Sequence, residues 1–362
     1  MNSMYDVIVI GASLAGSAAS IEMAKRGLKV ALVDRATFPR RKPCGEGLSA
    51  LGLHQLERLG IKDRILQLPH IPYTGYSISV GTSKKFVRSP ISGGITLQRY
   101  DFDKAVLDKA LEYESVSPYL SSKVKNIEGT TVVLADRNLI AKKLVLACGG
   151  NSPLINSVDC TAKRYGPSRT GVSAIYKGTF LREVNWITIL VKPKYEMYCT
   201  PLAGGFLNVS VLKKSNETLN IHSIFGDPSL MKSVFEECSF IGLQDGPLLG
   251  RTNIGNIRRQ CSSPDIFLAG DVREEFDPIG GMGMSHALSS GIEVAHRIIK
   301  ELSSDKEISN SFINNTRITS SMRRFTRLTY KTLIGAKYFP LLLNFSASTL
   351  GGKCIKILLP DS

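Results

Sequence analysis

The chain has 362 residues, a formal net charge of +15 and 43% hydrophobic residues. That length buries a large core and implies two domains or one elaborated domain, and the ordinary composition excludes disordered and collagen-like classes. Met1 to Asp6 shows no basic n-region or apolar h-region, and no run reaches the ~18 apolar residues that span a bilayer, so a cytoplasmic location is expected. Cys44, Cys148, Cys160, Cys199, Cys238, Cys261 and Cys354 are scattered, odd in number and without a C-x-x-C pair. Reduced thiols are expected, rather than a disulfide framework or a zinc site, and the histidines also lack metal-ligand spacing.

In chain order, Tyr5 to Ile10 reads as a buried parallel strand, Gly11 to Gly16 as a tight turn, and Ser17 to Arg26 as an Ala-rich helix. Leu28 to Val33 is a second apolar strand, ending on Asp34. Strand, glycine turn, helix, strand and acid in this order form a dinucleotide-binding βαβ unit. Gly11 permits the turn, and Gly16 allows helix and strand to approach. The helix N-terminus offers N–H donors to a pyrophosphate, and Asp34 can accept from a ribose. Ser13 stands where the pattern has its middle glycine.

A Pro/Arg/Lys-rich loop from Arg35 to Gly47 precedes a helix over Leu48 to Leu59. Ile71 to Val87 alternates like strands. Asp101 to Tyr113 has helical spacing, with Asp101 or Asp103 suited to its cap. Val124 to Leu134 reads as a hairpin, and Leu144 to Ala147 as a short buried strand. From Thr170 to Leu212 several alternating segments with Gly/Pro punctuation predict an antiparallel sheet. A βα unit returns at Ile266 to Asp271, followed by a glycine-rich loop and a helix from about Met284 to Leu302. Between Ile308 and Pro360 there is no acidic residue, whereas eight Arg and Lys residues from Arg317 to Lys356 alternate with apolar ones. That pattern is a basic amphipathic helix, able to lie on an anionic membrane or to cap its own domain. No nucleic-acid motif accompanies the positive charge, so no nucleic-acid partner is expected.

The predicted fold class is α/β. A Rossmann-like nucleotide-binding domain (1–70, 95–155 and 262–305) is interrupted by an antiparallel β-rich substrate domain (71–94 and 156–261). The C-terminal helical segment covers 306–362. A second ligand is expected at the domain interface.

Leu268-Ala269-Gly270-Asp271, followed by Asp277-Pro278-Ile279-Gly280-Gly281-Met282-Gly283-Met284, carries further chemistry. Asp271 can hold a polyol hydroxyl. Pro278 rigidifies a loop whose glycines let backbone N–H groups reach a ring system. With these residues the chain resembles the FAD-dependent oxidoreductases of the aromatic-hydroxylase fold, in the branch of geranylgeranyl reductases and flavin-dependent halogenases. The resemblance implies that Gly11, Ser13, Ala15 and Gly16 cradle the FAD pyrophosphate, with Asp34 and the adjoining Arg35 at the adenosine ribose. It implies that Arg99 lies along the diphosphate or ribityl chain and that Asp271 holds the ribityl chain. Pro278, Gly281, Gly283 and Met284 would line the isoalloxazine.

Lys42-Pro43-Cys44-Gly45-Glu46-Gly47-Leu48 is similar to the Lys-x-Cys-Gly-Gly stretch of geranylgeranyl reductases, which places Cys44 and Glu46 as catalytic candidates beside the flavin. Tyr195 to Pro201 is similar to that family's substrate-side strand. Cys148 stands where aromatic hydroxylases carry an aspartate, and the tryptophan signature of halogenases is missing, so halogenation is not expected. FAD is the expected cofactor and NAD(P)H a candidate reductant. The substrate is expected to be a lipophilic small molecule. The leading expectation is a monooxygenase acting on an aromatic, quinone or polyketide-like substrate. The alternatives are a reductase of isoprenoid double bonds and, in another class, a non-catalytic nucleotide-binding membrane-surface protein.

Overall fold

The structure is a computed structural model that describes residues 4–80, 83–88, 93–177, 185–225, 241–243 and 248–302. The predicted basic helix of 306–362 lies outside the described residues. The chain opens with β1 (Met4–Ile10), α1 (Leu14–Ala24) and β2 (Val30–Val33), followed by β3 (Gly47–Leu48), α2 (Ala50–Leu59) and α3 (Lys62–Leu66). Next come β4 (His70–Tyr73), β5 (Gly75–Val80), β6 (Ser83–Arg88), β7 (Gly94–Leu97) and α4 (Arg99–Leu111). β8 (Val116–Tyr119), β9 (Asn126–Glu128), β10 (Thr131–Val133), β11 (Asn138–Leu146) and β12 (Cys160–Arg164) lead to β13 (Arg169–Lys177) and β14 (Trp186–Val191). The remainder is β15 (Tyr195–Leu202), β16 (Phe206–Lys214), α5 (Ile221–Phe225), β17 (Ile241–Leu243), β18 (Leu249–Ile254), β19 (Ile257–Cys261), β20 (Ile266–Leu268), β21 (Glu274–Glu275) and α6 (Gly283–Leu302).

The first sheet runs β8-β2-β1-β11-β10-β9, with β20 on the other edge of β11. Its β8, β2, β1, β11 and β20 are parallel. Both faces are covered, which is why β1 reads as an unbroken apolar run. Val7 and Val9 enter the core with α1, α2, α4 and α6, while Ile8 and Ile10 enter the opposite core with Leu144, Leu146 and Leu268. This is the predicted Rossmann-like layer.

The second sheet runs β17-β13-β16-β15-β14-β5-β6, with β18 also on β13. Its pairings are antiparallel except for β14 with β5, which are parallel. Two small sheets, β3-β7-β4 and β12-β19-β21, are separate from both.

Three local expectations are corrected. The helix predicted from Leu48 begins at Ala50, because Gly47 and Leu48 pair with Thr96 and Ile95 of β7. The helix predicted from Asp101 begins at Arg99, with Gln98 at the N-cap and neither Asp101 nor Asp103 in the capping role. The cysteines are not all reduced: Cys160 and Cys261 face each other in the β12–β19 register and form a disulfide across 101 residues. Spacing along the chain cannot reveal a pairing made by strand register. Cys44, Cys148 and Cys199 are free thiols.

Candidate flavin site and substrate face

The glycine turn is built as the βαβ pattern requires. Gly11 has φ +108°, and a Cβ there would lie 2.4 Å from the Ala147 carbonyl oxygen. A Cβ on Gly16 would lie 1.7 Å from the Gly11 carbonyl oxygen. Asp34, buried at the end of β2, accepts from the Ala12 N–H at 2.7 Å and from the Ala36 N–H at 2.9 Å, so its carboxylate braces the turn. Arg35 is exposed one residue later.

Ser13 is the N-cap of α1, yet its side chain makes no capping bond, and no acidic residue occupies the first helical turn. Its hydroxyl donates to Asp103 Oδ2 at 2.7 Å and accepts from Arg99 Nη2 at 2.9 Å. The donor end of α1 is therefore left to an anion rather than filled by the protein's own oxygen, which fits the pyrophosphate of FAD.

Arg99 and Asp103 stand one turn apart on α4. Nε donates to Oδ1 at 2.6 Å and Nη2 to Oδ2 at 2.8 Å. Arg99 is 6% exposed and Asp103 0%. Burial pushes the Asp103 carboxyl up, but Arg99, Lys42 and Ser13 outweigh it and hold the group below the usual carboxylate range. Lys42 is lowered by burial while the charges of Asp271 and Asp103 pull it the other way. For Asp271, burial opposes ionisation, yet Lys42 and Arg251 bring it down to about 2. Arg251 Nη1 donates to Asp271 Oδ2 at 2.8 Å, and its Nη2 donates to Glu275 Oε1 at 2.6 Å. Cationic and anionic groups thus meet where the two halves of the expected FAD site converge.

Cys44 and Glu46 lie in the loop beside Arg99. The Cys44 Sγ is 3.8 Å from Arg99 Nη1, and burial followed by the Glu46 charge pushes the thiol up, so it stays protonated. Glu46 adopts φ +58° and is buried. Its Oε2 accepts the Arg99 N–H at 2.6 Å, supplying the cap of α4 from 53 residues away. Burial raises the Glu46 carboxyl to about 8 against the pull of Arg99.

Asp277 and Pro278 open a 3-10 turn over Pro278–Gly280, after which Gly281 adopts φ +62° and α6 begins. Nothing lies within 4 Å of a Cβ placed on Gly281 or Gly283. Their backbone faces open space, as a ring-binding turn needs. Met284 differs from expectation: its side chain is 5% exposed and packs in the core, leaving only its backbone for a cofactor. Ala15 likewise turns toward Gly270 and Gly291 in the seam between α1 and α6.

Strand register supplies the opposite wall. Alternation puts Glu196, Tyr198 and Thr200 of β15 on one face, while Met197 and Cys199 enter a separate core. Ile189 and Ser210 flank Tyr198, and Asn208 flanks Thr200. Tyr198 and Tyr76 pack with Tyr73, Ile78, Ile187 and Ile189. This face looks onto the 42–47 loop: Asn208 Nδ2 and Ser210 Oγ donate to the Cys44 carbonyl at 3.0 and 3.1 Å. The hydroxyl of Tyr198 is buried and has no partner among the described residues.

Sequence reading passed over Asp103, Lys42 and Arg251 as site residues. The i,i+4 spacing of Arg99 and Asp103 was a visible signal for the first of these. Arg251 carried none, since it reaches Asp271 only through the fold.

Residues 4–127 match the FAD binding domain family. The chain is 27% identical over 320 residues to a menaquinone reductase of Mycolicibacterium smegmatis, covering 80% of this chain and 75% of that protein. Its fold is similar to that of the flavin-dependent brominase Bmp2, with TM-score 0.80 and 20% identity, covering 98% of this chain and 93% of that one. It is also similar to p-nitrophenol 4-monooxygenase PnpA of Pseudomonas putida DLL-E4, with TM-score 0.77 and 13% identity, covering 99% and 98%. The chain has the FAD-dependent aromatic-hydroxylase-like fold. It is an FAD-dependent oxidoreductase.

Proposed function

We propose that the protein reduces a carbon–carbon double bond in a lipophilic, isoprenoid or quinone-bearing substrate. FAD, when bound and reduced by NAD(P)H, supplies the hydride for such chemistry. The second requirement is a proton donor that is still protonated at neutral pH. Glu46 carries the proposal: with a carboxyl at about 8, it keeps its proton at pH 7 in the loop beside Arg99. Its Oε2 is engaged by the Arg99 N–H, which leaves Oε1 to carry the proton. Cys44 remains a thiol and serves as an apolar wall rather than as a nucleophile. The similarity to a menaquinone reductase over most of both chains supports the same reading.

Hydroxylation of an aromatic or quinone ring is the second reading. It is favoured by the aromatic group of Tyr73, Tyr76 and Tyr198 and by the Tyr198 hydroxyl, which has no partner among the described residues and suits a substrate oxygen. A lipophilic substrate would be drawn from a membrane surface, and the basic segment 306–362 is proposed to make that peripheral contact. Among the described residues no helix is long and apolar enough to cross a membrane.

The test uses FAD-loaded protein reduced with NADPH or dithionite and mixed anaerobically with menaquinone-2. Flavin reoxidation is expected, with a product that keeps two extra hydrogens in its side chain after air has returned any quinol to quinone; a product that reverts wholly to menaquinone-2 would overturn the double-bond reading. Reduced flavin that persists without air, joined by an oxygenated product once O₂ is admitted, would replace this reading with hydroxylation.

A further inference from the structure

The substrate face and the flavin-side turn meet through one buried guanidinium. Arg169, at the start of β13, is 0% exposed; Asp277 is 1% and Glu196 5% exposed. Arg169 Nη1 donates to both Asp277 oxygens at 3.3 Å, and Nη2 donates to Glu196 Oε2. Its Nε donates to the Lys213 carbonyl on β16 at 3.3 Å. Asp277 is itself committed to the turn. Its Oδ1 accepts the Ile279 N–H at 3.2 Å, and its Oδ2 accepts from Asn256 Nδ2 at 3.1 Å. The Gly280 N–H returns to the Asp277 carbonyl at 3.2 Å. On the other side, Glu196 shares its face with Tyr198, whose β16 neighbour Ser210 holds the Cys44 carbonyl.

Stability is a poor explanation for this arrangement. Burying a guanidinium with two carboxyl groups is costly, and burial already raises the Glu196 carboxyl to about 7, whereas apolar replacements of similar volume are often as stable. A guanidinium does supply direction, because its fork fixes the groups it binds in one plane. We propose that Arg169 is a positioning residue that locks the flavin-side turn Pro278–Gly280 to the substrate strand β15 through Asp277 and Glu196. The inference builds on the flavin and substrate assignments made above. A shift of the substrate wall then reaches the ring-binding glycines without any residue of β15 touching them.

The bridge is tested with FAD alone as the ligand, by fluorescence titration and by the visible absorbance of the bound flavin. Glu196→Gln should weaken FAD binding about 3-fold and Asp277→Asn about 10-fold, while the double variant should be no weaker than Asp277→Asn, since both act through one group. Arg169→Lys, a point charge unable to span both carboxylates, should match the double variant and shift the flavin absorbance maximum. Additive losses in the double variant would overturn the proposal. So would single variants that retain the flavin spectrum and affinity while losing only thermal stability. Should Arg169→Lys fail to fold, the Glu196 and Asp277 cycle still decides. An oxygenated product in the menaquinone-2 experiment would remove the reductase reading and leave this coupling standing.

Discussion

The nucleotide-binding turn and the substrate face are built by opposite means. Gly11, Ser13, Gly16 and Asp34 lie within one stretch of chain, where the backbone leaves no room for a side chain at Gly11 and Gly16 and the Asp34 carboxylate braces the turn. The proposed substrate face draws two or three residues each from β5, β14, β15 and β16, aligned only by register. A local site of the first kind tolerates almost no change at its two glycines. One assembled by register can lose a member outside the Arg169 bridge, such as Ser210, and lose only that member's contact. The predictions below test that asymmetry.

The largest effect belongs to Gly16→Val. Its Cβ would sit 1.7 Å from the Gly11 carbonyl oxygen, against backbone that cannot yield without separating β1 from α1. Loss of folding, or of all FAD retention, is expected; size-exclusion and flavin absorbance of purified protein check it. Wild-type flavin content would show that the two elements are not locked together.

Glu46→Gln comes next, at the junction of the two regions. Glutamine can still accept the Arg99 N–H but has no acidic proton, so turnover should fall about 100-fold with FAD affinity kept. The same substitution has a stability signature. The folded carboxyl titrates near 8 against a reference of 4.5, so the unfolded chain ionises first. Wild-type stability should therefore fall as pH rises from 4.5 to 8, by about 1.4 kcal/mol per pH unit at most, and level off above. Glu46→Gln should flatten this slope in urea melts and be the more stable form at pH 8. Parallel curves for the two proteins would remove the protonated acid.

Asp34→Ala follows. It deletes the acceptor for the Ala12 and Ala36 N–H groups along with the proposed ribose contact, and about a tenfold weaker FAD affinity is expected. Equal affinity would mean that the ribose sits elsewhere.

What sequence reading could reach follows the same division. The βαβ unit was legible because strand, turn, helix and acid are consecutive, and the chain's return at Ile266 to Asp271 was legible because it repeats the strand-to-loop pattern. Glu46 was visible as a candidate, but its capping of α4 spans 53 residues and has no local trace. Asp103 looked like a cap because it lies in the first turns of a helix. The fold gives that task to Glu46, and Asp103 instead receives Arg99 and Ser13. The Cys160–Cys261 disulfide and the Arg251–Asp271 pair were equally hidden, because one is made by strand register and the other by a strand meeting a distant 3-10 turn, partners the sequence does not name.

The smallest effect separates the two architectures most cleanly. Ser210 donates one of two hydrogen bonds to the Cys44 carbonyl, and Asn208 Nδ2 donates the other at 3.0 Å. Removing the Ser210 hydroxyl leaves that carbonyl satisfied, so Ser210→Ala should cost about 1 kcal/mol or less. Asn208→Ala removes the amide that serves both the carbonyl and Ser210 Oγ, and should cost more. If the face is assembled contact by contact, both variants should raise the KM for menaquinone-2 severalfold or less without altering FAD affinity. A loss of FAD from Ser210→Ala would instead make the Cys44 loop as intolerant as the glycine turn, and the difference between the two regions would disappear.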